Sequence, residues 1–161
     1  MSPIAAAAAT PQAPVRVDGN DDTGRRVIAT RAIALGEVLA DLREAHAAPA
    51  KSRFTVQVGA DEHIDGLWQF TFLNHSCDPN VHVDATDRVI RALRPIAEGE
   101  ELGYFYPSTE WQMAEPFDCA CGTARCIGRV TGAADLPNAT LRQYEINVHI
   151  LALKTRQASG R

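Results

Sequence analysis

Asn74-His75-Ser76-Cys77-Asp78-Pro79-Asn80 constrains this chain more than any other stretch. The apolar run Leu67 to Leu73 precedes it and the alternating Val81-His82-Val83 follows. This pattern predicts strand, polar elbow, strand, with Asp78-Pro79-Asn80 supplying the turn chemistry. Amide, imidazole, hydroxyl and thiol groups are thereby gathered where a buried strand ends. The only other cysteines lie downstream, in Cys119-Ala120-Cys121-Gly122-Thr123-Ala124-Arg125-Cys126. Four cysteines, two of them in Cys-x-Cys, suit a metal site in a reducing compartment better than a secreted disulfide framework. Gly122 lets the chain fold back, so Cys119, Cys121 and Cys126 can converge and leave a tetrahedral zinc one ligand short. Cys77 is the one cysteine left to supply it. Two disulfides, or four buried free thiols, are the alternatives.

A chain of 161 residues is read as one domain with a core that needs no covalent staples. Sixteen basic against twenty acidic residues, a net charge of -4, argue against non-specific nucleic-acid binding and leave room for a cationic partner. Ile4 to Ala9 is apolar, but it is too short to span a membrane and lacks the charged start of a signal peptide. Residues 1–14 are therefore read as a disordered Ala/Pro-rich leader. With no other segment suited to crossing a bilayer, an intracellular protein is expected, cytoplasmic or nuclear, as a monomer or homodimer.

Val15-Arg16-Val17 opens the first predicted strand, and Asp18 to Gly24 is dense enough in turn formers to loop out. An internal echo follows. Ala29 to Leu39 matches Ala92 to Leu102 at Ala, Arg, Ile, Gly, Glu and Leu. Both copies predict strand, tight glycine turn, strand. A duplicated β-unit inside one domain fits, although Ile-x-x-Gly-Glu is also simply a good turn. Phe54 to Val58 alternates as a half-buried strand does, and His63-Ile64-Asp65 and Val89-Ile90-Arg91 are further short strands. Helix signal gathers at the end. Thr140 and Gln143 form a candidate capping box, and Leu141, Tyr144, Val148 and Leu151 fall on one helical face. The fold class is mainly β, built of short sheets, with one C-terminal amphipathic helix.

Between the elbow and the cysteine tail lies Gly99-Glu100-Glu101-Leu102-Gly103-Tyr104-Phe105-Tyr106. These three motifs, in this order, resemble the elbow, strand and post-SET tail of the SET-domain protein lysine methyltransferases. The resemblance implies the SET-type β-clip, in which the elbow segment threads a loop, one of the rare exceptions to unknotted topology. It implies a SET domain over residues 15–110, a post-SET zinc-binding tail over 111–137, and a C-terminal helix and tail over 138–161. In that family the elbow cysteine completes the zinc site, so Cys77 would join Cys119, Cys121 and Cys126 and bolt the tail over the active site. His63, His75, His82 and His149 have no ligand-like spacing.

The activity implied is methyl transfer from S-adenosylmethionine to a lysine amine. A free lysine has a pKa of about 10.4, so its ammonium must lose a proton before the nitrogen can attack, and a narrow apolar channel must align the reacting atoms. Tyr106 occupies the position of the family's catalytic tyrosine. Read without the family, a core tyrosine with a satisfied hydroxyl is the alternative. Tyr104, two residues earlier on the same side of the strand, stands where the family tunes the number of methyls added, and a tyrosine there implies one. Phe105 is expected to be buried against the sheet. Asn74 and His75 are expected to hold the cofactor, together with Gly24-Arg25-Arg26, which stands where the family carries Gly-x-Gly. Arg26 is expected to contact the carboxylate of the methionine moiety. Trp111 or Phe117 would supply a surface for adenine, or else pack in the core.

Acidic residues around the two motifs, including Glu98, Glu100, Glu101, Glu110, Glu115 and Asp118, read mostly as ordinary solvated charges. Together they favour a basic protein or peptide, a histone-like tail being one candidate. A catalytically silent, zinc-stabilised SET-like peptide-binding module is the competing reading, and a zinc-dependent nucleic-acid binder is disfavoured by the charge. Lys51 and Lys154 are the only lysines. A GC-rich genome is the simpler reading of that scarcity. Lys154, expected at the frayed end of the last helix, could instead enter the acidic cleft as a pseudosubstrate.

Overall fold

Ile33 and Ile96, at equivalent places in the two echoing segments, exchange both backbone hydrogen bonds at 2.9 Å. The Gly36 amide donates to the Ala92 carbonyl at 2.9 Å, and the Gly99 amide to the Ala29 carbonyl at 2.8 Å. Each glycine therefore binds the residue that opens the other copy. Gly36 and Gly99 sit at φ 79° and 82°, a left-handed conformation that a Cβ would strain. The glutamates that follow act alike. Glu37 accepts from the Ala34 amide and Glu100 from the Ala97 amide, both at 2.9 Å. Their carboxylates also hold Arg31 at 2.6 Å and Arg94 at 2.7 Å. The echo is a pair of equivalent arches that bind each other.

This computed structural model describes residues 13–160. The leader expected over residues 1–14 lies almost wholly outside them. The strands are β1 (Val15–Asn20), β2 (Gly24–Ala29), β3 (Val38–Asp41), β4 (His46–Ala47), β5 (Val56–Gln57), β6 (His63–Asp65), β7 (Asn74–His75), β8 (Val81–Asp84), β9 (Val89–Ala92), β10 (Glu101–Tyr104), β11 (Phe117–Asp118) and β12 (Arg129–Val130). They form four small sheets, ordered β1-β2-β10-β7, β3-β9-β8, β4-β6-β5 and β11-β12. The helices α1 (Asn138–Leu141) and α2 (Val148–Ser159) close the chain. The architecture is mainly β, as expected.

The main core gathers Val27, Ile33, Leu102, Ile90, Ile96 and Val81 from the first two sheets and the arches. A second, smaller core holds Phe105, Ala133, Leu141 and Ile150. Phe105 is buried as expected, between His75 of β7 and the second core. It stacks on Tyr144 at 3.7 Å with rings 3° from parallel.

Other expectations change in detail. Leu67 to Leu73 is not a strand, because Trp68–Phe72 forms a 3-10 helix. Leu67, Phe70 and Leu73 are buried while Trp68 is 77% exposed, the three-residue period of that helix rather than the two of a strand. Asp18 to Asn20 continue β1, so the loop before Gly24 shrinks to three residues held by the Asn20 and Thr23 side chains. Within Phe54 to Val58 only Val56–Gln57 pair as strand.

The expected C-terminal helix is α2, but it starts later than the pattern suggests, and the short α1 precedes it. Thr140 lies inside α1, whose N-cap is Pro137, so no capping box forms. Leu141 and Ile150 face inward, whereas Val148 and Leu151 are 64% and 50% exposed. Asn147 fixes the start of α2. Its buried amide donates to the Val83 and Ser108 carbonyls and accepts from the Ala85 amide. Lys154 lies within α2, not in a frayed tail. Its ammonium donates to the Ala134 carbonyl at 3.1 Å and the Leu136 carbonyl at 2.7 Å. The pseudosubstrate expectation fails there, because Lys154 is held against its own fold.

Candidate functional site

The elbow is stitched to β10 from both sides. β7 pairs with β10 in parallel, Asn74 opposite Gly103 and His75 opposite Tyr104. Gly103 permits this approach, since a Cβ there would meet the Ser76 Cβ at 3.1 Å. Asn80, buried, accepts from the Gly103 amide at 2.9 Å and donates to the Glu101 carbonyl at 2.8 Å. The polar elbow is thus largely a clamp, and what it holds in place is the end of β10.

That end carries the two tyrosines. Tyr104 ends β10 while Tyr106, expected at the end of that strand, opens a 3-10 helix (Tyr106–Ser108), and their ring centroids are 4.7 Å apart. The Tyr106 hydroxyl donates to the Leu73 carbonyl at 2.6 Å. Burial pushes its pKa upward, so the hydroxyl keeps its proton at neutral pH. Tyr104 is buried and its pKa is raised for the same reason.

Tyr106 stands between two spaces. On one side is an open cleft of about 840 Å³ that Gly24, Arg25, Arg26 and Asn74 help to line. On the other is a tight pocket of about 30 Å³, walled by Phe70, Leu73, Tyr104, Tyr106 and Glu110. Glu110, expected among acids that are mostly solvated, is instead buried, only 7% exposed. Its Oε1 accepts from the Gln57 amide at 2.8 Å and from the Thr109 hydroxyl at 3.3 Å. Burial pushes its carboxyl up to about 7. The available signal was its isolation as the one charged residue between Leu102 and Ala114.

The cleft residues are engaged differently from expectation. Arg26 is paired with Asp18 through two hydrogen bonds of 3.2 and 2.9 Å, so its guanidinium is committed within the β1–β2 hairpin. Arg25 reaches Asp21 at 2.7 Å and lies 5.1 Å over the Phe72 ring. The Asn74 amide donates to the Arg25 carbonyl at 2.9 Å and to the Glu101 carboxylate at 3.1 Å. Arg53 also lines the cleft, and no carboxylate pairs with it among the described residues. Nothing in the sequence around Arg53 marked it. Phe117 borders the cleft as a candidate aromatic wall, while Trp111 packs in the second core with Lys154 over its ring at 5.6 Å. Arginines, the acids Asp21, Glu101 and Glu115, and Phe72 and Phe117 make a lining suited to a zwitterionic ligand with a flat aromatic part.

The sulfurs of Cys77, Cys119, Cys121 and Cys126 all lie within 4.8 Å of one another, and no disulfide joins them. Cys77 and Cys119 are 3.8 Å apart, close to the edge of about 3.8 Å that a tetrahedron with Zn–S bonds of about 2.3 Å requires. Four thiol donors at this spacing fit a structural zinc. The tail is further secured around Cys77. The Ile127 amide donates to its sulfur at 3.4 Å and the Tyr144 hydroxyl to its carbonyl at 2.8 Å.

His75 does not line the open cleft. Its ring is packed against Phe105, Tyr106 and Phe117. Nδ1 accepts from the Tyr106 backbone amide at 3.2 Å, which leaves the proton on Nε2, 3.2 Å from the Cys77 sulfur. Burial lowers its pKa to about 4, so the ring is neutral. This side chain bridges the cysteine cluster to Tyr106, while His75 also borders a separate open space with Asn74, Tyr106 and Phe117, where a backbone contact to a cofactor has room.

Residues 24–107 match the SET domain family. Over 121 residues the chain is 36% identical to the methyltransferase flvH of Aspergillus flavus, an alignment covering 74% of this chain and 68% of that protein. It is 39% identical over 88 residues to the H3 lysine-36 specific histone-lysine N-methyltransferase of Chaetomium globosum, covering 47% of this chain but 10% of that one. The crystal structure of KRYPTONITE in complex with mCHH DNA, H3(1-15) peptide and SAH has the same fold. Its TM-score is 0.51 at 21% identity, over 71% of this chain and 29% of that chain. With just over half of its residues inside the matched span, and the flvH likeness running beyond it, the chain belongs to the SET-domain family and is a methyltransferase.

Proposed function

We propose that this protein is an S-adenosylmethionine-dependent lysine N-methyltransferase whose substrate is a basic protein or peptide. The observation that carries the reading is the place of Tyr106, fixed by its hydroxyl to Leu73 where the open cleft meets the tight pocket. S-adenosylmethionine, when bound, supplies an electrophilic methyl group on a sulfonium. The cleft would hold it through Arg53 and Arg25 toward its carboxylate, Asp21 and Glu101 toward its ammonium and hydroxyl groups, and Phe117 toward adenine. Arg26 would act indirectly, by keeping Asp18 and the hairpin in place. Asn74 would contribute mainly by joining β7 to the Arg25 backbone.

Tyr106 donates its proton to Leu73, so its oxygen lone pairs remain to face the methyl hydrogens and the incoming amine. Tyr104 would wall the lysine stem and limit the space left for added methyls, favouring one. Cys77, Cys119, Cys121 and Cys126 would hold zinc as a structural bolt, with residues 111–137 forming the post-SET tail and 138–161 the segment that backs it. Net charge of -4 and the acidic rim at Glu101 and Glu115 favour a basic peptide. KRYPTONITE holds an H3(1-15) peptide in its complex, which makes a histone-like tail a reasonable first substrate.

Calorimetry with S-adenosylhomocysteine and a transfer assay with labelled S-adenosylmethionine over core histones and basic peptides test the reading. Binding and labelled lysine are expected. No binding, with no transfer to any acceptor, would leave the peptide-binding module as the better account.

A further inference from the structure

The tight pocket beside Tyr106 ends on a carboxylate. Glu110 Oε1 is tied to the Gln57 amide and the Thr109 hydroxyl, but Oε2 takes no hydrogen bond from any described residue. It is not among the sealed, partnerless polar atoms, which are His63 Nε2 and Ser108 Oγ. Glu110 therefore presents a free acceptor toward a space of about 30 Å³, enough for a water or an ammonium head. Phe70, Leu73, Tyr104 and Met113 give that wall an apolar and aromatic part, while Thr55, Thr71 and the Arg53 guanidinium are among its polar members. Glu110 is the one carboxylate among the residues lining this pocket, and a buried carboxylate with an unused oxygen favours a cationic partner.

We propose that Glu110 is a catalytic residue of the transfer, binding the ammonium of an unmodified lysine side chain and accepting its proton. This rests on the methyltransferase reading above. Lysine Nζ–H gives its proton to Oε2, leaving a neutral amine and a neutral carboxyl. Rotation about the Cε–Nζ bond turns the freed lone pair toward the sulfonium methyl. The N–C bond forms as the C–S bond breaks, and that bond's electron pair returns to sulfur. The product is a methylated ammonium, and the carboxyl proton is then released to solvent.

An ordinary glutamate carboxyl, at 4.5, is poorly matched to an amine of about 10.4. Burial raises Glu110 to about 7 and narrows the gap. The titratable groups around it are consistent with the role. Lys51 acts on it as a cation, Arg53 borders the same pocket, and the Tyr104 and Tyr106 hydroxyls both stay protonated. His149, behind Thr109, hydrogen-bonds the Thr109 carbonyl and is kept neutral by burial.

The test uses the full chain saturated with S-adenosylhomocysteine and n-butylammonium as a truncated lysine side chain, so that no turnover is required. The Glu110 side-chain carbon is followed by carbon-13 NMR across pH. The expected result is a titration that moves to lower pH as n-butylammonium binds, with Glu110→Gln weakening that binding at least tenfold while S-adenosylhomocysteine affinity stays within twofold. A Glu110 resonance unmoved by the amine, or equal amine affinity in Glu110→Gln, overturns the proposal and leaves Glu110 a structural acceptor for Gln57. Should Glu110→Gln fail to fold, the wild-type titration alone decides. Failure of the wider reading is seen separately, as absent S-adenosylhomocysteine binding by the wild-type chain.

Discussion

The Tyr106 hydroxyl donates a 2.6 Å hydrogen bond to the carbonyl of Leu73, the residue just before the elbow. One side chain thereby joins the end of β10 to the end of the 3-10 helix and fixes its own oxygen between the two spaces. Tyr106→Phe should fold and retain S-adenosylhomocysteine affinity while losing transfer by roughly a hundredfold or more, the usual cost of removing a positioned transition-state hydrogen-bonding group. Leaving the Leu73 carbonyl unpaired should cost only about 1 kcal/mol of stability. Single-turnover rates beside a urea melt separate the two effects, and near-normal turnover would remove Tyr106 from its role.

Tyr104 packs against Tyr106 at 4.7 Å and is almost fully buried. Tyr104→Phe removes a hydroxyl from a pocket with little room to spare. The variant should add more methyls to each lysine than the wild type does. Mass spectrometry of a modified peptide reads the distribution directly, and an unchanged distribution would show that Tyr104 does not set it.

The cysteine cluster should hold one zinc per chain, measurable by elemental analysis. Structural zinc contributes on the order of 10 kcal/mol of folding free energy in small peptides. Here the main core is built without the tail, so Cys126→Ser should loosen the tail and second core while the four-stranded sheet remains. Trp111 belongs to that second core and reports on it by fluorescence. Because His75 bridges Cys77 to the Tyr106 amide, losing the metal should also lower cofactor affinity. Unchanged affinity in Cys126→Ser would break that link.

The four thiols were legible because cysteines are scarce and their spacing is chemically restrictive. The two tyrosines were legible from the family resemblance of Gly99 to Tyr106, although Tyr106 lies past the end of β10 in a 3-10 helix. The arches were legible as an echo, although only the structure shows Ile33 bound to Ile96. Other features depend on packing that local pattern does not encode. Leu67 to Leu73 reads as a continuous apolar run in either period, and burial at every third residue decides for the 3-10 helix. Val148 and Leu151 share a helical face, yet the buried Asn147 anchors α2 so that Ile150 points inward instead. Glu110 looks like any acid until Tyr104, Phe70 and Gln57 close around it. Lys154 looks like a free tail until the Ala134 and Leu136 carbonyls receive it.

Glu110 should also leave a mark on stability. Its carboxyl has an ordinary value of 4.5 and is pushed up to about 7 by burial. Below 4.5 it is protonated in both folded and unfolded states and has no net effect. As pH rises from there through about 7 the unfolded chain ionises more readily, so folding becomes progressively less favourable. Glu110→Gln removes that burden. It should match the wild type near pH 4 and exceed it at pH 8 by on the order of 3 kcal/mol, taking 1.36 kcal/mol per pKa unit. Urea melts at the two values check this, and a variant less stable at both would mean the carboxylate is mainly a structural acceptor.

The mutual binding of the two arches has a consequence for synthesis. A ribosome releases β2 and the first arch long before β10 and the second arch. Until Ile96 to Leu102 emerge, Ile33 has no backbone partner and Val27 lacks its neighbour on the β10 side. Closing so remote a pair is slow and exposes apolar strands meanwhile. A nascent chain halted before Ile96 should therefore gain no stable N-terminal subdomain and depend on chaperones, with protease resistance appearing abruptly once the second arch clears the exit tunnel.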